Sequence, residues 1–334
     1  MFNFAIFYLV ISFLYGDDNN LFINAGNFSS KIEISFLVIN PLNQKCGYIP
    51  KIGEVREISE CSYGWTRLGD FEIGPDENDW STLEFADNSE IILGTYTLIF
   101  YGLKDTRYWA SLNLGNILNI GFEDYISNGV VKNFVVFLDP TPGAPPPVLT
   151  KLVTFQILRD DFNVAYKLNQ IGDEKFVNSL IRMVDIVEKL SQKCEKIKDK
   201  IKDNKEKTKC YKPVIAILRM MMKRLEVINK LCDNKTECKA KCKAKSECDE
   251  DEVFKGFDNK YRKDAEFKDF FSEWDKDEYH KHKKTCKRYI TDEALEIITT
   301  DINWLIKGFG EEVWNDYKKE HNPYIPEKYK SFFK

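Results

Sequence analysis

The chain has 334 residues, 43% hydrophobic and 14% aromatic, with 49 basic and 53 acidic side chains and a formal net charge of −4. That composition excludes a disordered chain, which lacks the apolar residues needed to offset the entropy of ordering. Residues 17–160 carry 10 basic and 19 acidic side chains, net −9, whereas 161–334 carry 39 and 34, net +5. The split predicts an acidic domain followed by a basic one, and the length suits two domains. Because the basic excess of the second half is small and interleaved with carboxylates, nucleic-acid binding is not expected.

Residues 4–15, FAIFYLVISFLY, are apolar apart from Ser12, and GDDNN follows at once. An apolar run of about 7–15 residues that turns polar is the pattern of a secretory signal, and it is too short to span a bilayer. The expectation is a signal peptide over 1–16 and a secreted mature chain that begins near Asp17 and carries no membrane span. The tail PYIPEKYKSFFK lacks the hydrophobic stretch of a lipid-anchor signal.

From Lys31 the chain alternates: Ile32, Ile34, Phe36 and Val38 fall in one phase, with Glu33 and Ser35 between them. Period-two alternation of β-branched and aromatic residues predicts a strand. Similar runs occupy 53–60, 66–73, 80–86, 91–101, 107–114 and 131–138, separated by turn clusters such as GPDEND and SNG. IILGTYTLIFYG (91–102) is apolar enough to predict a central strand covered on both faces. DPTPGAPPPV (139–148) cannot be a helix or strand interior, and LVTFQIL (152–158) alternates again. The prolines therefore read as a loop inside an antiparallel β-sandwich or barrel-like domain over 17–160.

The period then changes. Val177, Leu180, Val184, Val187, Leu190, Cys194, Ile197 and Ile201 recur at threes and fours, as one helix face does. Pro213 suits a first helical turn, and Val214, Leu218, Met221, Leu225, Ile228 and Cys232 follow a heptad seam. These predict an antiparallel helical hairpin, with Met220–Met222 packed in its core. A third helix is predicted with Thr291 as N-cap, Leu295, Ile298, Ile302 and Leu305 as its seam, and Gly308 or Gly310 at its end. EEVWNDYKKEHNP predicts a short fourth, and the segment around Phe267, Phe270, Phe271 and Trp274 reads as helical too. The fold class is α+β: the β-domain, then a disulfide-stapled helical bundle over 161–334.

In an oxidising compartment cysteines are first of all disulfide candidates. Cys46 and Cys61 are the pair in the acidic half, and Cys194 and Cys210 flank the turn of the hairpin. Cys238 and Cys242 sit at i,i+4, about 6 Å apart at Cβ on a helix, too far for the ~3.8 Å of a disulfide. They are expected to staple to other elements, with Cys232, Cys248 and Cys286 as available partners. Nine cysteines leave one over, a free thiol or the link of a covalent dimer.

Zinc sites pair close C-x₂₋₄-C spacings. Here only Cys238 and Cys242 comply, and the residues that could complete a site are His280 and His282, close to Cys286. Asp76, Glu77 and Asp79 offer oxygen ligands for calcium, but an acidic turn is ordinary. No metal, cofactor or catalytic residue is expected: P-loop, GxGxxG, GxSxG and HExxH signatures are missing from the sequence. Asn27-Phe-Ser and Asn234-Lys-Thr are glycosylation candidates.

A signal, a β-rich part and a cysteine-bearing helical part, in Asn/Lys/Ile-rich usage, resemble the layout of secreted antigens of protozoan blood parasites such as piroplasms. The resemblance covers layout alone. It implies a secreted, non-enzymatic binding protein that engages a host or cell-surface protein. A carbohydrate-binding or glycan-processing protein that uses Trp65, Trp80 and Trp109 is the alternative.

Overall fold

A computed structural model describes residues 21–28, 31–59, 61–68, 80–87, 91–114, 118–139, 141, 144–145, 147–198, 204–231 and 288–320. The segment 1–16 expected to be a signal peptide, the region from Cys232 through Cys286 and the calcium candidates Asp76, Glu77 and Asp79 lie outside them. The chain divides into two compact units, one of 1–164 with 300–334 and the other of 165–299. The division differs from the sequence boundary near 160: residues from Thr300 onward group with the strands, because Trp304 is buried among the strand side chains.

The first unit holds eleven strands among the described residues: β1 (Leu21–Asn27), β2 (Ile34–Ile39), β3 (Lys45–Ile49), β4 (Gly53–Arg56), β5 (Cys61–Leu68), β6 (Trp80–Asp87), β7 (Gly94–Gly102), β8 (Thr106–Leu114), β9 (Leu118–Ile126), β10 (Val131–Leu138) and β11 (Leu149–Lys151). They form two antiparallel sheets, ordered β5-β6-β1-β8-β9 and β11-β10-β7-β2-β3-β4. Among the described residues neither sheet closes on itself, so the barrel alternative is not realised.

Alternation builds the core. Ile34, Phe36 and Val38 of β2, Leu98 and Phe100 of β7 and Phe134 and Val136 of β10 are buried with Leu21 and Ile23 of β1 and Tyr108 and Leu112 of β8. Rings from the two sheets touch: Phe100 and Tyr108 lie 5.1 Å apart, Phe122 and Phe134 4.7 Å. Burying each such ring stabilises the fold by about 1.5–3 kcal/mol. The strand β7 is central as expected but is not covered on both faces. Its second face, Thr95, Thr97, Ile99 and Tyr101, is exposed or half-buried.

The proline-containing connection runs between antiparallel neighbours, since β10 pairs with β11 through Phe134↔Lys151 and Val136↔Leu149. LVTFQIL is a correction. From Phe155 the chain is helical, as α1 (Phe155–Lys167). Seven residues are too few to separate the two periods, and Thr154 starts the helix, its hydroxyl accepting the Ile157 N–H at 3.2 Å. The strands β1, β3, β9 and β11 were not foreseen: Asn, Gly and Asp interrupt the apolar phase of the first three, and β11 is three residues long.

In the second unit α2 (Glu174–Lys198) and α3 (Asn204–Leu231) lie antiparallel. Cys194 and Cys210 meet near the turn, and farther along Arg224 Nη1 donates to Ser179 Oγ at 3.1 Å. The seam Val214, Leu218, Met221, Leu225 and Ile228 is buried, as is Met220, whereas Met222 is half-buried. Pro213 is not in a first turn: the helix begins at Asn204, so the proline sits inside it. The Lys- and Glu-rich segment before it is a strong helix former and carries the helix backwards.

The helix α4 (Asp292–Gly308) starts as expected, with Thr291 Oγ1 accepting the Ala294 N–H at 3.2 Å. After Gly310, which has φ of 121°, α5 (Glu311–Glu320) follows. Of the predicted α4 seam, Ile298, Ile302 and Leu305 are buried, while Leu295 is half-buried.

Candidate functional site: a buried carboxylate–ammonium cluster

Five charged side chains from five elements of the first unit converge out of water: Asp124 (β9), Lys132 (β10), Lys151 (β11), Asp161 (α1) and Asp301 (α4), none more than 6% exposed. Periodicity carries them in. Lys132 is in phase with the buried Phe134, Val136 and Leu138, and Lys151 stands opposite Phe134. Asp124 shares the phase of Ile120 and Phe122 and stands opposite Tyr108. On α1, Leu158, Asp161, Phe162 and Ala165 follow i, i+3, i+4, i+7. On α4, Ile298, Asp301, Ile302 and Leu305 do the same. In each helix an aspartate occupies a position of the buried stripe.

Asp124 is the hub. Its Oδ1 accepts from Lys132 Nζ at 2.9 Å and from the Tyr125 N–H at 2.8 Å. Its Oδ2 accepts from Lys151 Nζ at 2.7 Å and from the Tyr108 hydroxyl at 3.3 Å. Lys132 also donates to Asp161 Oδ1 at 2.6 Å, and Lys151 donates to Asp301 Oδ1. The remaining oxygens, Asp161 Oδ2 and Asp301 Oδ2, are buried without a hydrogen-bond partner.

Burial sets the electrostatics. It pushes the Asp161 carboxyl well above the usual carboxylate range, and the attraction of Lys132 opposes this without reversing it. The same burial would raise Asp301, but the ammonium of Lys151, then the neighbouring Asp161 carboxyl and Lys132, hold it below its ordinary value. Burial works against the Lys151 ammonium, yet the Asp124 and Asp301 carboxylates overcome it and raise its pKa. Burial, then the Asp124 charge, raises the Tyr108 phenol well above its usual range.

One oxygen from each of Asp124, Asp161 and Asp301 lies within 4.8 Å of the others, close enough to share a metal ion. The two lysines, however, already stand on four of the six carboxylate oxygens. A cation would have to displace an ammonium. Chemically the arrangement is a rivet: two ammoniums hold three carboxyl groups, joining β9, β10 and β11 to α1 and α4.

Of the cysteines singled out from the sequence, two expected pairs come together. Cys46 and Cys61, 6.5 Å apart at Cα, link β3 of one sheet to β5 of the other, and Cys194 and Cys210 are 5.8 Å apart. Cys232, Cys238, Cys242, Cys248, Cys286, His280, His282 and Asn234 lie outside the described residues. The other glycosylation candidate, Asn27, is fully buried. Its Nδ2 donates to the Lys31 carbonyl at 2.7 Å and its Oδ1 accepts the Glu33 N–H at 3.0 Å. A glycan on that nitrogen would have to open the β1–β2 connection. Trp65, Trp80 and Trp109 all belong to the five-stranded sheet, and Trp109 is half-buried opposite Gly26 and Glu123.

The buried cluster itself was missed. The available signal was a charged residue falling in the buried phase of a strand or helix, at Lys132 and Asp161, which calls for an internal partner. Among the described residues no helix is long and apolar enough to cross a membrane. No protein-family model, curated protein or solved structure matches the chain.

Proposed function

We propose that this chain is a secreted, non-enzymatic binding protein of the antigen type that engages a protein on a host or neighbouring cell. The observation that carries this reading is the outer face of the six-stranded sheet. Across the adjacent strands β11, β10 and β7, the outward positions include Ile99, Tyr101, Val131, Val135 and Phe137 and no Lys, Arg, Asp or Glu. Val131, Phe137 and, just past β11, Leu152 are 41%, 54% and 47% exposed. A charge-free, partly apolar sheet face suits protein contact better than solvent alone. Ring contacts between the two sheets support a sandwich beneath it. Two cysteine pairs at disulfide distance support an oxidising compartment.

Surface capture from intact cells with the wild-type protein and with Phe137→Glu tests the reading. The expected result is one cell-surface protein cross-linked by the wild type and lost from the variant, with both melting alike. Identical capture by both, or retention on a glycan array with no protein captured, overturns it.

A further inference from the structure

We propose that Asp161 and Asp301 share a single proton between their carboxyl groups, making the cluster a neutral unit of two ammoniums, two carboxylates and one carboxylic acid. Both oxygens of Asp124 and the Oδ1 atoms of Asp161 and Asp301 are taken by Lys132 and Lys151. What remains is Asp161 Oδ2 and Asp301 Oδ2, both buried and lacking a donor, on two carboxyl groups that have oxygens within 4.8 Å of each other. Three ionised carboxylates against two ammoniums would leave one uncompensated negative charge out of water, which is costly. One proton removes that charge and gives both orphan oxygens a partner. A metal ion would need at least about four ligands, and only these two oxygens are open.

Among the described residues, the charged and titratable groups around the pair are Lys132 from β10, Lys151 from β11, Asp124 from β9 and Tyr108 from β8. Burial raises Asp161 and the lysines lower Asp301, so the proton resides on Asp161. The consequence is an acid-favoured core. In the unfolded chain Asp161 ionises near an ordinary pKa of about 3.9. The folded chain keeps the proton above that pH, so stability from this group falls as pH rises, until the shared proton is lost.

Asp161→Asn replaces the acid with an amide whose N–H is a permanent donor. Its folding equilibrium constant, relative to wild type, is expected to rise about tenfold per pH unit above about pH 4. Infrared spectra of the wild type with isotope-labelled aspartate, taken near neutral pH, should show a protonated-carboxyl C=O band that D161N lacks. A wild type with only ionised aspartates at neutral pH overturns the proposal, as does a stability difference that is independent of pH. Should D161N fail to fold, the wild-type infrared spectrum decides alone.

Discussion

Lys132 Nζ donates to Asp161 Oδ1 at 2.6 Å, a bond between β10 and α1 made with both side chains out of water. Lys132→Met removes a cation, which leaves Asp161 Oδ1 without its donor and the Asp124 and Asp301 carboxylates with Lys151 as their one counter-charge. Breaking a buried pair from one side costs about 3–5 kcal/mol, and urea unfolding of K132M should lose that much. The double variant Lys132→Met with Asp161→Leu should recover part of the loss, because no buried polar group is left without its donor on α1. A K132M protein as stable as wild type would show that the cluster does not hold the unit together.

Alkaline stability follows from Lys151 and Tyr108. Both have raised folded-state pKa values, so the folded chain retains protons that the unfolded chain releases near their ordinary values of about 10–10.4. Their contribution is therefore complete below about pH 10 and declines as pH rises beyond it. Tyr108→Phe should cost about 1–2 kcal/mol at neutral pH by removing a donor to Asp124. It should also flatten the decline above about pH 10. Urea midpoints recorded on both proteins across that range would reveal an equal decline if Tyr108 plays no part.

Cys46 and Cys61 tie the two sheets across a separation of 15 residues. A native disulfide in a secreted domain is typically worth about 2–5 kcal/mol. Replacing both cysteines by alanine should lower the unfolding free energy of the strand-rich unit by such an amount. A non-reduced digest should contain the Cys46–Cys61 and Cys194–Cys210 peptides. Free thiols at these four positions in secreted protein would count against both links.

Asn27 closes the β1–β2 connection through both ends of its amide. Asn27→Ala should cost about 1–3 kcal/mol, since the Glu33 N–H and the Lys31 carbonyl lose their partner. Protein secreted by a glycosylating cell should carry no sugar at Asn27. Glycopeptide mapping that finds occupancy there would mean that this connection opens or forms otherwise.

Gly47 has φ of 138°, and a Cβ there would collide with the Phe36 carbonyl of the neighbouring strand. Gly47→Ala should therefore destabilise the β2–β3 pair and lower the thermal midpoint, whereas Gly129→Ala, with open space around it, should do so only through its own φ of 77°. Equal melting of G47A and wild type would contradict the close approach.

Local pattern was enough where a segment repeats one period long enough to be read. The alternation of VKNFVVFL, the heptad seam from Val214 to Ile228 and the Thr291 cap are written in neighbouring residues, so strand, helix and helix start could be recognised without a fold. The Cys46–Cys61 pair followed from their being the two cysteines of the acidic half, and Cys194–Cys210 from their flanking the turn of the hairpin. LVTFQIL was misread because so short a run fits both periods, and Pro213 because the strong helix formers before it outweigh its broken bond.

The mixed antiparallel α+β character was thus determined by the order of residues along the chain. What only the tertiary structure decided is the grouping of 300–320 with the strands and the meeting of Lys132 and Lys151 with Asp124, Asp161 and Asp301. Lys151 and Asp301 are 150 residues apart. Nothing local in either segment names the other, because a buried charge specifies only that some opposite charge must be present. Which one it is depends on the packing of sheet against helix, where the cost of leaving any of the five unpaired removes the alternatives.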